Sequence, residues 1–440
     1  MAETIAVRGG RVIDPASGHD AVADVLLQDG RIAALGPDAG QGASNVIDAS
    51  GLVVSPGFVD IHCHLREPGF EHKETIESGT LAAARGGFTT VCAMPNTEPA
   101  IDSAATVRYV LQAAAAAGNA RVLPIGAVSK ARKGEQLAEL AELAEAGAIA
   151  FSDDGDPVWD AHLMRRALEY ARMLGLPVID HCEDKSLVAG GVMHEGWVSA
   201  RLGLRGAPAA GEESMVARDI ALAQATGGHV HLAHLSAAGS IELLRAARDR
   251  GLPVTAEVTP HHLALTDAAV LGDPQDEAGL AYDSNAKVNP PLRGETDREA
   301  CVQALADGVI DCVATDHAPH ATEDKLCEFD HAAFGISGLE TALALCLSLV
   351  HDGRITLPQL IERLTVAPVR ALGFALHVEG LGMLAIGAPA DVTLFDPDAE
   401  WVVDPLQFAS KGRNTPLAGR TLRGRVVATV YAGRVVHDGR

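Results

Sequence analysis

Gly51-Leu52-Val53-Val54-Ser55-Pro56-Gly57-Phe58-Val59 runs directly into Asp60-Ile61-His62-Cys63-His64-Leu65-Arg66-Glu67-Pro68-Gly69. The apolar first part reads as a buried strand. His62 and His64 are separated by one residue at its end, so they lie on the same side of the pleat. Two imidazole nitrogens placed that way can hold one divalent transition metal. Arg66, two positions on, carries a fixed fork of donors that suits a carboxylate. A metal and an anion anchor in one loop point to a metal-dependent enzyme acting on a small acid. The alternative is a pair of surface-loop histidines.

Outward from this stretch, short apolar runs alternate with helical patterns. Strands are expected at Gly57–Ile61, Thr89–Ala93, Arg121–Ala127, Ala148–Phe151, Pro177–Asp180, His229–Ala233, Pro253–Val258 and Ile310–Thr315. Helical stretches lie between them. In the one from Ala237 to Arg250, Ser236 is the expected N-cap and Gly251 the stop. The alanine run 113–117 reads as helix. Eight strand–helix units predict an α/β fold, a (β/α)8 TIM barrel. Residues 1–55 and 380–440 read instead as short strands with glycine turns, and predict a small β-sandwich domain formed by both termini. The barrel domain then spans 56–379. The acidic segment Gly272 to Tyr282 reads as a solvated loop or a lid.

The chain has 440 residues, enough for a large core, and 48% are hydrophobic, as in a soluble globular protein. Charges, Gly and Pro interrupt every apolar stretch before a membrane span is reached. The N-terminus lacks the pattern of a signal peptide. Seven scattered cysteines without a CxxC pair fit reduced thiols and a cytoplasmic location. The formal net charge of −23 argues against nucleic acid and anionic membrane as partners. An anionic substrate would have to be drawn in by local Arg, His and metal.

In a barrel of this kind the chemistry gathers at the C-terminal strand ends. There the sequence places His62 and His64, Met94-Pro95-Asn96-Thr97, Phe151-Ser152-Asp153-Asp154-Gly155, His181-Cys182-Glu183-Asp184, His231 to Ser236, and Asp316-His317-Ala318-Pro319-His320. His62, His64 and Asp316 could hold one ion, His181 and His234 another, with Asp154 as the bridging carboxylate. The plainer reading is that Asp153 or Asp154 caps the next helix. His231 is expected to face the barrel interior or its opposite face, His261 and His262 to pack behind the site, and Cys63 and His317 to be structural. Met94 and Pro95 shape the Asn96 loop. His194 and Trp197 carry no functional argument.

These stretches, with Asn289-Pro290-Pro291-Leu292-Arg293 and Phe334-Gly335-Ile336-Ser337-Gly338-Leu339-Glu340-Thr341, resemble the amidohydrolase superfamily and within it the class I dihydroorotases, over essentially the whole length. The resemblance implies one or two Zn2+ per chain, the first on His62, His64 and Asp316, the second on His181 and His234, bridged by Asp154. It implies that Arg66, Asn96 and His320 hold the substrate carboxylate. Asn289 and the backbone of Phe334 and Gly335 would contact the ring amide groups. Asp316 would move the proton from the attacking water to the departing nitrogen. The reaction implied is the reversible hydrolysis of (S)-dihydroorotate to N-carbamoyl-L-aspartate, a step of de novo pyrimidine (UMP) biosynthesis. Physical reasons support these roles independently. An arginine pairs bidentately with a carboxylate, and an asparagine offers both donor and acceptor to an imide ring. Hydantoinases, allantoinases and the other dihydroorotase class carry a carboxylated lysine on strand four, and Gly147 to Asp154 contains none. That disfavours a hydantoinase or allantoinase. The remaining rival is a non-catalytic dihydroorotase-like subunit of aspartate transcarbamoylase; such paralogues lose metal ligands. A homo-oligomer is expected, and association with aspartate transcarbamoylase is compatible with either reading.

Overall fold

The computed structural model describes residues 4–272, 281–373 and 378–440. Residues 273–280 of the stretch expected to be a loop or lid lie outside it. The strands in chain order are β1 (Thr4–Asp14), β2 (His19–Gln28), β3 (Arg31–Gly36), β4 (Asn45–Asp48), β5 (Val53–Pro56), β6 (Phe58–Cys63), β7 (Phe88–Ala93), β8 (Arg121–Pro124) and β9 (Phe151–Ser152). They continue with β10 (Val178–Asp180), β11 (Met193–His194), β12 (Gly206–Ala207), β13 (Val230–Leu232), β14 (Val254–Val258), β15 (Cys312–Val313), β16 (Val392–Val402), β17 (Thr421–Tyr431) and β18 (Arg434–Asp438).

Eight of these strands form the (β/α)8 barrel. β6, β7 and β8 pair in parallel, and so do β9, β10, β13, β14 and β15. Parallel bridges join the two arcs at both seams, Gly126 to Phe151 and Cys63 to His317. A helix follows every barrel strand before the next, from Ile76–Arg85 after β6 to Ala342–His351 after β15. Val59, Ile61, Cys92, Ile125, Ile179 and Ala314 fill the barrel interior, and Val369 and Leu372 of the helix Val366–Leu372 pack against them. A second core lies between strands and helices, with Phe58, Phe88, Phe151 and Leu168 fully buried. Among the described residues no helix is long and apolar enough to cross a membrane.

The termini build one mixed sheet, the terminal sandwich expected from sequence, in the order β18-β17-β16-β5-β1-β2-β3 with β4 beside β1. Its strands share one apolar core that includes Val7, Val25, Val54, Leu394 and Val430.

The run Gly51 to Val59 is not the single strand expected. β5 belongs to the terminal sheet and β6 to the barrel, and the chain changes sheets at Pro56-Gly57. Pro56 has no N–H to extend a ladder. Gly57 passes so close to β7 that a Cβ would lie 2.1 Å from Thr89 Oγ1. Gly57→Ala is therefore expected to lower stability by about 1–3 kcal/mol through overpacking, read by denaturant unfolding.

A second difference concerns helix Ala238–Asp249. Ser236 does not cap it; the N-cap is Ala237, with no side-chain bond of its own. Glu212 accepts from the Ser236 and Ala237 amides and Asp297 from that of Ala238 (3.1, 3.0 and 2.9 Å). Distant carboxylates satisfy the amides that a local hydroxyl would have served. Gly251 ends the element in the left-handed region, as expected.

Candidate active site

At the C-terminal end of β6 a register irregularity falls between Asp60 and Cys63. Val59 and Ile61 face the barrel interior, yet Cys63 packs in the outer core and its thiol meets the Cys92 carbonyl at 3.3 Å. The irregularity reverses the alternation and turns His62 and His64 toward the barrel axis. Asp60 stays behind, buried, and its carboxylate accepts from Thr315 N–H and Oγ1 (2.8 and 2.5 Å). That pair ties the end of β6 to the segment carrying Asp316. Burial pushes the Asp60 carboxyl up to about 7 against these bonds.

Asp154 lies at the centre. Its Oδ2 is 3.4 Å from His62 Nε2 and 3.5 Å from His64 Nε2. Its Oδ1 is 3.7 Å from His181 Nδ1 and 3.5 Å from His234 Nε2. Asp316 Oδ1 faces the first pair, 3.0 Å from His64 Nε2 and 3.6 Å from His62 Nε2. Each oxygen of one carboxylate thus addresses a different pair of imidazoles. Asp154 caps no helix; Asp160 caps Ala161–Leu174, and Asp153 is bonded to Ser129.

His62 Nε2 and Asp154 Oδ1 are buried without a hydrogen-bond partner. An unpartnered imidazole nitrogen and an unpartnered anionic oxygen, both buried, fit a cation-binding centre. Burial alone would lower His62, but the charges of Asp154 and Glu257 hold it well above the ordinary imidazole range. A place that favours a positive imidazole between carboxylates also favours a metal ion. Groups of donors close enough to share an ion are His62, His64 and Asp316, and His62, Asp154 and His234. A third group, Asp180, Cys182 and Asp219, is already neutralised by Arg218 at 3.2 and 2.6 Å from the two carboxylates.

Residues that the sequence reading did not single out support this centre. Glu257, near the C-terminal end of β14, accepts from His62 Nδ1 at 2.6 Å and contacts His231 Nε2 at 3.1 Å. It thereby leaves His62 Nε2 as the open nitrogen. A charged residue between Ala256 and Val258 in an apolar strand is the signal that could have found it. Glu183 Oε2 lies 3.2 Å from His181 Nε2, and burial, which would raise it, is overcome by that bond and the His181 charge. Arg132 donates to the carbonyls of Asp153 and Asp154 at 3.1 and 2.7 Å, clamping the loop of the central carboxylate. His317, as expected, is structural: its Nε2 lies 3.3 Å from Glu74, and its Nδ1 accepts from Gly338 N–H. His262 Nε2 donates to Pro290 O at 3.0 Å and so fixes the turn that carries Asn289. Three site residues, Arg66, His234 and Asp316, have left-handed backbone (φ 62°, 34° and 44°), a local strain that the packed surroundings maintain.

A cavity of about 260 Å³ opens above the centre. His64, Arg66, Asn96, Asp154, His181, His234, Asn289, Asp316, His320, Phe334 and Gly335 line it, and only His62 of the expected residues is buried beneath. Arg66 Nη2 and His320 Nε2 lie 3.3 Å apart on one wall. Burial pushes Arg66 down to about 10, so it remains charged. Burial and then the Arg66 and Lys73 charges push His320 down to about 2, so it is neutral. Its Nε2 donates to Phe334 O at 2.8 Å. Gly335 N–H already donates to Lys287 O, and Gly335 O accepts from Asn414 (both 2.9 Å). A φ of +143° and the close approach of Ala318 fix that peptide.

A family model described as Dihydro-orotase-like matches residues 51–240. The chain is 53% identical over 439 residues to a dihydroorotase of Anaeromyxobacter sp. (strain K), covering 100% of this chain and 99% of that one. It is 54% identical over 435 residues to a dihydroorotase of Pelotomaculum thermopropionicum, covering 99% and 98%. Among solved structures it is similar to an L-hydantoinase (dihydropyrimidinase) from Arthrobacter aurescens, with TM-score 0.86 and 26% identity over 100% of this chain and 97% of that one. A dihydropyrimidinase from Brevibacillus agri NCHU1002 shares the fold, with TM-score 0.82 and 23% identity over 99% and 95%.

Proposed function

The chain belongs to the dihydroorotase family, and from that premise we propose that it catalyses the reversible hydrolysis of (S)-dihydroorotate to N-carbamoyl-L-aspartate, using zinc. The observation that carries this reading is the placement of Asp154, one oxygen toward His62 and His64 and the other toward His181 and His234. In this reading His62, His64 and Asp316 would hold one ion and His181 and His234 a second, with Asp154 serving both. Zinc bound there would polarise the ring carbonyl and lower the pKa of the attacking water.

The chain's own groups supply the rest. Arg66 pairs with the substrate carboxylate, with Asn96 Nδ2 as a further donor and His320 beside it. Asp316, held below the usual carboxylate range by its bond to His64 and the charges of His62 and His64 despite burial, is ionised. It accepts the proton of the attacking water and returns it to the ring nitrogen as the C–N bond breaks. The reverse sequence closes N-carbamoyl-aspartate into the ring. Asn289, with the backbone of Phe334 and Gly335, faces the ring amide groups.

We place the protein in the cytoplasm as a homo-oligomer working in pyrimidine synthesis. The division into a terminal unit, 1–55 with 380–440, and a barrel unit, 56–379, is part of the same reading. Binding to aspartate transcarbamoylase is compatible with it. All six metal-facing side chains are present and converge, which counts against a non-catalytic paralogue.

The test is turnover of dihydroorotate by the purified protein with and without chelator, with zinc counted per chain. Chelator-sensitive hydrolysis is expected; zinc-loaded protein with no turnover would overturn the reading. Arg66→Ala is expected to raise KM for dihydroorotate by about 10–100-fold, the loss of a charge-assisted pair worth about 1.5–3 kcal/mol. An unchanged KM would remove Arg66 from the carboxylate site.

A further inference from the structure

Two asparagines line the cavity, and each is locked with a different end of its amide turned inward. Asn96 Oδ1 accepts from His64 Nδ1 at 2.8 Å. Its Nδ2 donor is left for the cavity, which suits the carboxylate of the proposed substrate. Asn289 is held in the opposite sense. Its Nδ2 donates to Glu183 Oε2 at 3.2 Å.

His181 shares the same acceptor. Its Nδ1 points inward, 3.0 Å from His234 Nε2 and 3.7 Å from Asp154 Oδ1. The ring proton therefore sits on Nε2, which also donates to Glu183 Oε2 at 3.2 Å. Asn289 Nδ2 lies 3.1 Å from that Nε2, so two donors converge side by side on one carboxylate oxygen. Turning the amide over would let Oδ1 accept from His181 Nε2–H but would set it against the charged Glu183 oxygen, so Glu183 holds the sense. The backbone offers no escape, because His262 holds the Pro290 carbonyl at 3.0 Å.

We infer that Glu183 is a specificity-determining residue: by holding Asn289 as an acceptor, it makes that wall of the cavity read a ring N–H. The inference rests on the reading of the cavity as the seat of a dihydroorotate ring. An asparagine free to rotate would serve a donor or an acceptor alike. One locked by Glu183 rewards only a donor, and a substrate lacking it leaves Oδ1 unpaired. The class accepted is thus a cyclic ureide with a free N–H beside Asn289; one alkylated at that nitrogen is rejected.

The test uses full-length, zinc-loaded protein. Hydrolysis of dihydroorotate is compared with that of its N1-methyl and N3-methyl derivatives, for the wild type, Glu183→Leu and Asn289→Ala, with zinc counted per chain. The ratio of kcat/KM values between two substrates does not depend on how much of a sample holds metal. The wild type is expected to disfavour one methylated ring by at least about 100-fold, since a site built to pair with an N–H rejects an analogue without it. Glu183→Leu removes the acceptor and frees the Asn289 amide to turn, so the ratio should shrink by about tenfold or more. A merely structural Glu183 would lower zinc content and activity on all three rings and leave the ratio unchanged. An unchanged ratio in Glu183→Leu, with a collapsed ratio in Asn289→Ala, would overturn the role of Glu183 alone. Unchanged ratios in both variants would overturn the placement of the ring beside Asn289, and the inference with it.

Discussion

Asp316→Asn is expected to reduce kcat for dihydroorotate by about 10³–10⁴-fold, the scale of a lost general acid–base group. The amide keeps an oxygen where Asp316 Oδ1 now lies, 3.0 Å from His64 Nε2, but cannot take a proton from water. Arg66, Asn96 and His320 are untouched, so KM should change by no more than about threefold, the pattern of an interaction made only in the transition state. Zinc per chain and the unfolding curve, measured on the same sample, separate this from metal loss. A kcat within about tenfold of the wild type would assign the proton transfer to another group.

The largest structural effect is expected at Glu257. Burial alone would raise its carboxyl, but the His62 charge and the bonds to His231 and His62 hold it down to about 2. It is fully buried, and so are both imidazoles it serves. Glu257→Ala would strand His62 Nδ1 and His231 Nε2 together. Breaking a buried pair from one side costs about 3–5 kcal/mol, and we expect that loss in denaturant unfolding of the metal-free protein. Zinc affinity should also fall by about 10–100-fold, because His62 would lose the acceptor that fixes its tautomer. A loss below about 1 kcal/mol would mean that water replaces the carboxylate.

The sequence was informative where the physics is local. Alternation of apolar runs with helical periods located all eight barrel strands within a few residues, because each run must bury against the next. The polar residues at the strand ends were visible for the same reason, as chemistry interrupting an apolar pattern. What stayed hidden depends on contacts remote in the chain. Pro56 marks a break near Gly57, but which sheet each side joins is decided by Thr89 and by Asp391, whose carbonyl accepts from Gly57 N–H at 2.9 Å. The N-terminus of helix Ala238–Asp249 is satisfied by Glu212 and Asp297 rather than by the adjacent Ser236. The inward turn of His62 and His64 depends on the irregularity after Asp60, which simple alternation does not contain. Amide orientations at Asn96 and Asn289 are fixed by His64 and Glu183, so sequence could only say that each offers both donor and acceptor.

The seam between β6 and the segment after β15 is made by the Cys63–His317 bridge, the His64 N–H to His317 O bond at 2.9 Å, and the pairing of Asp60 with Thr315. The first and last of the proposed metal ligands therefore meet across this seam. During synthesis the early histidines emerge long before Asp316 exists, and they must wait, unpaired, for the rest of the barrel to be made. Catalytic competence is then a late, all-or-none event in the life of each nascent chain. Two separately expressed pieces divided on the solvent side between barrel strands would each be inert, and activity on mixing would report the closing of the ring.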